Sequence, residues 1–192
     1  MLASGRVRTT GPAGSAREMV ISLIGGRGSG KTTVGGTLAD RLGWEFIDAD
    51  AEVVRRDGRD IPQIFAEDGE PAFRKAEEAA IAALLDRTDD AVLATGGGAV
   101  LSADTRRRLR AAGPVVWLTA DAETLAARVA ADATERPSLT GRPAAEEMAE
   151  VLAARTPLYQ QTATVTEPVG DRTVEEIVAS IVARVLPAGG RP

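Results

Sequence analysis

The stretch GGRGSGKT, from Gly25 to Thr32, decides the fold of this chain. It matches the pattern G-x-x-x-x-G-K-[ST] at every fixed position, which is the pattern of a phosphate-binding P-loop. The apolar run Met19–Ile24 before it is typical of a buried β-strand, and residues 32–42 after it predict a helix that ends at Gly43. A strand, a glycine-rich loop and a helix in this order would place a bound phosphate on the helix N-terminus.

The glycines and the side chains of this loop have separate roles in such a site. Glycines let successive backbone N–H groups turn towards phosphate oxygens, Lys31 supplies a compact positive charge, and the Thr32 hydroxyl can ligate Mg²⁺. A glycine-rich turn that fits by chance is the alternative, and the flanking strand and helix argue against it. The loop therefore predicts a nucleoside triphosphate, although motors, GTPases, transporters and small-molecule kinases all share it.

The composition limits both the partners and the chemistry of the chain. Its 192 residues predict one ordinary domain, and no apolar run approaches the ~18 residues of a membrane span. A net charge of −5 argues against a nucleic-acid surface, which needs a broad basic face. The chain has no Cys and no His, which fits an intracellular protein and excludes thiol or imidazole catalysis and a typical zinc site. Carboxylates, Lys and Arg are left to carry the chemistry.

Strands alternate with helices along the chain, which predicts a parallel sheet covered by helices on both faces. Breaks at Asp57-Gly58 and Asp68-Gly69 divide the helical material that follows the second strand. The predicted strands are residues 19–24, 44–48, 91–94, 114–118 and 162–166, and the predicted helices after residue 43 are 61–67, 70–86, 103–112, 121–131, 144–155 and 173–186.

Three segments fall outside this alternation. Residues 1–17 are rich in Gly, Ala, Ser and Arg without an apolar stretch, so they predict a disordered tail and no secretory signal, with an organelle transit peptide as the alternative. Residues 132–147 contain two prolines and two arginines and predict a mobile loop. Residues 188–192 predict a flexible C-terminus, which leaves a single domain over residues 18–187.

Two carboxylates, Asp48 and Asp50, follow the second predicted strand. In open parallel sheets ligands gather outside the carboxyl ends of the strands, so this pair is expected beside the P-loop. Asp48 could hold Mg²⁺ directly or through water, and Asp50 could orient and deprotonate a substrate hydroxyl. The alternative for Asp48 is an ordinary helix N-cap.

Two arginines and a run of glycines suggest an acidic acceptor. Arg74 and Arg155 each offer a planar fork that matches a carboxylate, which favours an acidic small molecule over a neutral sugar. For Arg74 the alternative is an ion pair with Glu78, one helical turn away. The run Gly96–Gly98 allows close approach of a hydroxylated ring, whereas a plain turn needs at most one such glycine.

The predicted mobile loop contains Arg136, which closure over ATP would bring onto the β- and γ-phosphates. Its alternative is a solvent-exposed charge, and that alternative suits the nearby Arg142 better.

In combination these features resemble the shikimate kinase family, P-loop enzymes that use ATP to phosphorylate the 3-hydroxyl of shikimate. The resemblance extends from about residue 20 to residue 186 and rests on six motifs in the family's order. They are the P-loop, Asp48-x-Asp50, Phe73-Arg74-x-x-Glu77-Glu78, Thr95-Gly96-Gly97-Gly98, Arg136-Pro137 and Arg155-x-Pro157-Leu158-Tyr159.

The resemblance implies a three-layer α/β/α fold whose five-stranded parallel sheet is of the nucleoside-monophosphate-kinase type. Residues 50–87 would form a helical substrate-binding region and residues 132–147 a lid. The enzyme would be a cytoplasmic monomer that acts in aromatic amino-acid biosynthesis. Its partners would be ATP and shikimate, and it would bind neither nucleic acid nor a membrane.

The resemblance also implies a role for each site residue. Lys31, Asp50 and Arg136 would be catalytic: Lys31 neutralises the moving phosphoryl group, Asp50 activates the hydroxyl, and Arg136 closes the lid. ATP would be bound by Gly28, Ser29, Gly30, Lys31, Thr32, Thr33, Arg128, Arg136 and Arg172, shikimate by Asp50, Arg74, Gly96, Gly97, Gly98 and Arg155, and Mg²⁺ by Thr32 and Asp48.

The sequence departs from the family's pattern at two places near the lid. Arg128 lies one residue further from Arg136 than the family's spacing, and Ser138 stands where the family often has Leu. These changes bear on nucleotide affinity and lid packing. Two alternatives share the fold. One is a gluconate-type sugar-acid kinase, against which the two arginines and the glycine run argue. The other is a noncatalytic nucleotide-binding homologue, which would lack the lysine, the base or the lid arginine, whereas this sequence has all three.

Overall fold

The computed structural model describes residues 19–86, 90–131 and 144–186, and within these ranges strands and helices alternate as predicted. The strands are β1 (Val20–Ile24), β2 (Glu45–Asp48), β3 (Ala91–Ala94), β4 (Val115–Thr119) and β5 (Val165–Pro168). The helices are α1 (Lys31–Leu42), α2 (Ala49–Asp57), α3 (Ile61–Leu85), α4 (Ala103–Ala112), α5 (Ala122–Ala131), α6 (Ala144–Thr162) and α7 (Val174–Val185), and a 3₁₀ turn covers Ala99–Leu101.

The strands form one parallel sheet in the order β2-β3-β1-β4-β5, which confirms the predicted five-stranded sheet. The register aligns the strand ends: Asp48 of β2 pairs with Ala94 of β3, and Leu23 of β1 pairs with the same residue. The P-loop, the Asp48–Asp50 pair and the glycine run therefore leave the sheet at one edge, where ligands of parallel sheets bind.

Helices cover both faces of the sheet because β1 alternates its buried side chains between two cores. Ile21 and Leu23 pack in a cluster with residues of α1 and α7, whereas Val20 and Ile24 pack in a cluster with residues of α3, α4 and α6. Strands that are buried on both faces read as continuous apolar runs, which is why β1 was recognisable in the sequence.

The helices after β2 have a small core of their own. Val53 of α2 packs with Ile61, Ile64, Phe73 and Ala80 of α3. Gly58, in a left-handed conformation at φ +84°, ends α2, and Gly69 at φ +80° interrupts α3. Both predicted breaks are thus confirmed, although the two pieces of α3 follow each other directly.

The end of α6 differs from the prediction. The predicted helix ends at Arg155 and the predicted strand begins at residue 162, but α6 continues through Pro157 to Thr162, and β5 begins at Val165. The added turn is held by the Thr162 hydroxyl, which donates to the Leu158 carbonyl at 2.6 Å, and by Arg110, whose guanidinium donates to the last carbonyls of the helix. These hydrogen bonds stabilise the end of a helix in which Pro157 has no backbone N–H to donate.

Three predictions concern residues outside the described ranges: the tail at residues 1–17, the flexible C-terminus at 188–192 and most of the lid, including Arg136, Ser138 and Arg142. Within the described ranges, no helix has both the length and the apolar character needed to span a bilayer.

Candidate active site

The P-loop joins β1 to α1 as predicted, and Gly30 at φ +84° is the N-cap residue of α1. Gly28 also has a positive φ, +79°, and a Cβ there would lie 2.7 Å from the Leu125 carbonyl oxygen of α5. The predicted phosphate-binding residues Gly28–Thr33 therefore occupy the tight loop and the first turn of α1, where backbone N–H groups have no intrahelical partner.

Lys31 lies inside this loop. Its ammonium group donates to the carbonyl oxygens of Gly25 at 2.9 Å and Gly26 at 2.8 Å. Burial lowers the pKa of Lys31 to about 8, against the opposing attraction of Asp50 and Asp48. The half-buried ammonium therefore keeps most of its positive charge at neutral pH.

Asp48 is the N-cap residue of α2, which the sequence left as one alternative, and its second carboxylate oxygen faces the P-loop. One carboxylate oxygen caps α2 by accepting from the backbone N–H groups of Asp50 at 2.9 Å and Ala51 at 3.3 Å. The other oxygen accepts from the Thr32 hydroxyl at 3.1 Å. A hydroxyl and a carboxylate are the hard oxygen ligands that Mg²⁺ prefers. No group of three or more His, Cys, Asp and Glu side chains suited to a metal occurs in the described ranges. A cation held by Thr32 and Asp48 would therefore need further oxygen ligands, such as those of phosphate or water.

Asp50, in the first turn of α2, meets Glu77 of α3 over Gly96. A Cβ at Gly96 would lie 2.8 Å from an Asp50 carboxylate oxygen and still closer to Glu77. The glycine at this position thus makes room for two carboxylates beside the P-loop.

Glu77 also lies in the site, although no role was predicted for it from the sequence. It is 3% exposed, and one carboxylate oxygen accepts from the Arg74 guanidinium at 2.8 Å. The other oxygen makes no hydrogen bond within the described ranges. Burial raises the pKa of Glu77, and the charge of Asp50 adds to this, while Arg74 opposes it. The only sequence signal was its place three residues after Arg74 in F-R-x-x-E-E.

Arg74 lies on α3 with its guanidinium against Gly98, where a side chain would collide with it. It pairs with Glu77 and also with Glu70, at 3.0 Å, and its guanidinium carbon is 5.1 Å from the Phe73 ring centre. The predicted alternative partner, Glu78, is therefore wrong, because the face of α3 that turns towards the glycine run carries Glu77 and not Glu78.

Arg155 reaches the same glycine run from α6. Its guanidinium donates to the Gly97 carbonyl oxygen at 3.3 Å, and the Tyr159 hydroxyl donates to that oxygen at 2.6 Å. The structure thus brings together the residues that the sequence assigned to the acceptor. It also gives the glycines a function that we had not predicted, because two of them make room for charged side chains of the protein itself.

Two of the arginines predicted to bind ATP, Arg128 and Arg172, converge on the segment after β5. Arg128 donates to the carbonyl oxygens of Val169, at 3.1 Å, and Gly170. Arg172 pairs with the buried Glu167 and donates to the backbone carbonyl oxygens of Pro168 and Glu176. Both guanidinium groups hold this segment in place, and their contact with adenine stays a prediction.

A cavity of about 380 Å³ opens beside Arg74, between α3 and α4. Its lining includes Lys75, Ser102 and Thr105, but within the described ranges neither Lys31 nor Asp50. It therefore borders the site, and phosphoryl transfer is not expected inside it.

Comparison with known proteins gives a consistent result. Residues 27–186 match the family model described as shikimate kinase. The chain is 48% identical over 167 residues to a shikimate kinase of Nitratidesulfovibrio vulgaris, covering 85% of this chain and 93% of that protein. It is 45% identical over 176 residues to one of Thermobifida fusca, covering 92% and 99%.

Solved structures agree with these relatives. The shikimate kinase of Acinetobacter baumannii in complex with shikimate is similar at a TM-score of 0.80 and 37% identity, covering 86% of this chain and 91% of that one. A gluconokinase of Sinorhizobium meliloti has a TM-score of 0.58 at 21% identity, covering 87% and 90%, which shows a shared fold alone.

Proposed function

This chain belongs to the shikimate kinase family, and we propose that it uses ATP to phosphorylate the 3-hydroxyl of shikimate, giving shikimate 3-phosphate and ADP. It is a kinase of the shikimate pathway, which leads to chorismate and the aromatic amino acids. One observation carries the proposal. Arg74 of α3 and Arg155 of α6 both contact the glycine run Gly96–Gly98, at the sheet edge that also holds the P-loop and Asp50.

On the nucleotide side, the backbone N–H groups of residues 28–33 bind the phosphates and Lys31 neutralises the γ-phosphoryl group. Thr32 and Asp48 would hold Mg²⁺, since their oxygens face each other at 3.1 Å. When bound, the cation would offset the negative charge of the phosphates. Catalysis by such a site consists largely of positioning and of charge stabilisation.

On the acceptor side, the two guanidinium groups bind the carboxylate of shikimate and so fix its ring against the glycine run. Asp50 accepts a hydrogen bond from the 3-hydroxyl. As the hydroxyl oxygen forms its bond to the γ-phosphorus, the bond between that phosphorus and the β,γ-bridging oxygen breaks. The proton passes to Asp50 and the electron pair leaves with ADP.

Arg136 completes the proposal from sequence alone, as the lid residue that covers the phosphates. The same holds for the division into a substrate-binding region at residues 50–87 and a lid at 132–147. The proposal also includes a monomeric enzyme working in the cytoplasm, as is usual in the family.

The direct test is ADP release, measured in a coupled assay with shikimate, gluconate, AMP or no acceptor. We expect turnover with shikimate and none above the background of ATP hydrolysis with the other acceptors. Turnover with gluconate but not with shikimate would overturn the substrate, and ATP binding without any turnover would indicate the noncatalytic homologue.

A further inference from the structure

Tyr159 is a residue beside the proposed acceptor site that has no role in the mechanism above. Its side chain belongs to the core on one face of the sheet, and the residue is 1% exposed. The ring stacks on Trp117 of β4 with 5.6 Å between the ring centres and 20° between the planes. A buried tyrosine needs a partner for its hydroxyl, and here the partner is the Gly97 carbonyl oxygen at 2.6 Å.

The Gly97 carbonyl is a shared acceptor. It also receives the Arg155 guanidinium, at 3.3 Å. Arg155 and Tyr159 stand four residues apart on α6, so they lie on one face of the helix and reach the same atom. The shorter of the two hydrogen bonds is the one from Tyr159, whose side chain is buried and stacked on Trp117.

Gly97 itself lies between the two halves of the site. A Cβ there would be 3.5 Å from the Gly25 carbonyl oxygen and 3.6 Å from the Arg27 nitrogen, which places Gly97 beside the P-loop with room for no more than a methyl group between them. Its neighbour Gly98 contacts the Arg74 guanidinium. A shift of the Gly97 peptide would therefore change the spacing of the two arginine forks.

We propose that Tyr159 is a positioning residue for carboxylate recognition: its hydroxyl fixes the Gly97 carbonyl, and this carbonyl fixes the Arg155 guanidinium at the acceptor. The inference rests on the proposed function, because the carboxylate is that of the acceptor. A tyrosine that served only the core would stabilise the fold without any preference between the two substrates.

The test is Tyr159→Phe, which removes the hydroxyl and keeps the stacked ring. We expect the KM for shikimate to rise about five- to tenfold, the range of one lost hydrogen bond. The KM for ATP and kcat should stay within about twofold, because the P-loop keeps its own hydrogen bonds from Lys31 and Ser29. An unchanged KM for shikimate, or an equal rise for both substrates, would overturn the proposal.

Thr162→Val is the matched control. It removes another buried hydroxyl of α6, bonded to the Leu158 carbonyl at 2.6 Å, without contact to Gly97. We expect a comparable loss in the thermal unfolding midpoint and an unchanged KM for shikimate. The same rise in KM from this control would show that any loosening of α6 suffices, and the inference would fail.

A double-mutant cycle tests the route through Arg155. Tyr159→Phe combined with Arg155→Lys should raise the KM for shikimate by less than the product of the single effects. A simple product would overturn that route. If Tyr159→Phe does not yield folded protein, Trp117→Phe is the second variant, because it loosens the packing of the Tyr159 ring. It should raise the KM for shikimate by a smaller factor. An unchanged KM for shikimate in this variant would contradict the proposal.

The wild-type protein is assayed first, which separates this inference from the proposed function. Absence of shikimate turnover by the wild type would contradict the function itself. Normal wild-type turnover with an unchanged KM in Tyr159→Phe would contradict only the role of Tyr159.

Discussion

The proposed nucleotide half of the site would take most of its binding groups from the backbone of one continuous stretch, whereas the proposed acceptor half would take them from side chains of separate segments. Gly25–Thr33 runs from the end of one strand into the first turn of one helix. The acceptor residues come from α2, α3, the loop after β3 and α6, which span residues 50 to 159. A backbone cradle depends on glycines and on a turn, while a side-chain cradle depends on charges held in register. Single side-chain changes should therefore separate the two halves.

The largest expected effect is that of Asp50→Asn. The amide cannot accept the proton of the acceptor hydroxyl, so kcat should fall by on the order of 10² or more. The Kd for ATP should stay nearly unchanged, since the phosphate cradle does not include this side chain. The measurements are kcat with both substrates saturating and ATP binding by calorimetry. Asp57→Asn, an exposed position on the same helix, is the control, and near-normal kcat in Asp50→Asn would remove Asp50 from the role of base.

Arg74→Ala should act on the acceptor half alone. We expect the KM for shikimate to rise about 10- to 100-fold, as for a lost charge-assisted hydrogen bond, with the KM for ATP little changed. Steady-state kinetics with each substrate varied would show this, with the exposed neighbour Lys75→Ala as control.

Arg74→Ala also leaves Glu77 buried without its cation, which destabilises the fold. The double variant Arg74→Ala/Glu77→Gln should recover stability but not the KM for shikimate. Equal weakening of both substrates in the single variant would instead indicate a purely structural ion pair.

The pH dependence of ATP binding tests the nucleotide half. The pKa of Lys31 lies near 8 instead of 10.5, so the free enzyme loses this positive charge as the pH rises through about 8. We expect the Kd for ATP, measured without acceptor, to increase about five- to tenfold between pH 8 and pH 9. A Kd that stays flat to pH 9.5 would contradict this.

The same Lys31 shift has the opposite sign for folding. Between pH 8 and 10.5 the unfolded chain holds the Lys31 proton that the folded chain has lost, so this group makes the fold more stable as the pH rises.

The smallest effect is expected at Glu167, a second buried carboxylate among arginines but outside the acceptor half. Burial opposes its charge, yet hydrogen bonds from Arg172, Ser180 and Arg184 outweigh it, and the pKa of Glu167 is lowered. The pKa of Glu77 is raised, because burial together with the charge of Asp50 outweighs the opposing effect of Arg74 and Arg155.

Glu167→Gln should therefore reduce the free energy of unfolding by about 1–3 kcal/mol at pH 7 without changing the KM for shikimate. Because the pKa is lowered on folding, this contribution is present above the usual glutamate pKa of about 4.3 and is lost as the pH falls below it. Denaturant unfolding at pH 7 and near pH 4 measures this: the difference in free energy of unfolding between the wild type and Glu167→Gln should be smaller near pH 4. A changed KM for shikimate would mean that this cluster also belongs to the site.

The nucleotide half was predictable because its signals are local. An apolar run, a fixed glycine spacing and a helical pattern lie within 25 residues, from Met19 to Gly43. The parallel sheet was predictable from the alternation of strands and helices along the chain. The end of α6 was not predictable in the same way, because its last carbonyl groups accept hydrogen bonds from Arg110 of α4, which is distant in sequence.

The acceptor half was predictable only as a set of residue types. Sequence spacing alone makes Glu70 and Glu78 equivalent partners for Arg74, since both lie one turn away. Which of them faces Arg74 depends on how α3 packs against the glycine run. The burial of Glu77 and the bond from Tyr159 to Gly97 are likewise products of packing between elements far apart in sequence.

The small core shared by α2 and α3 has a consequence for the order in which the protein opens. Val53, Ile61 and Ile64 pack with Phe73 and Ala80 in a cluster that is separate from those on the sheet. The second part of α3 also contributes Ile81 and Leu84 to a cluster on the sheet. Elements with a separate core exchange their amide hydrogens as one cooperative unit, at a free energy below that of global unfolding. In deuterium exchange the amides of residues 51–68 should thus exchange together and ahead of β1, and shikimate, held by Asp50 at one end of this unit, should slow them as a group.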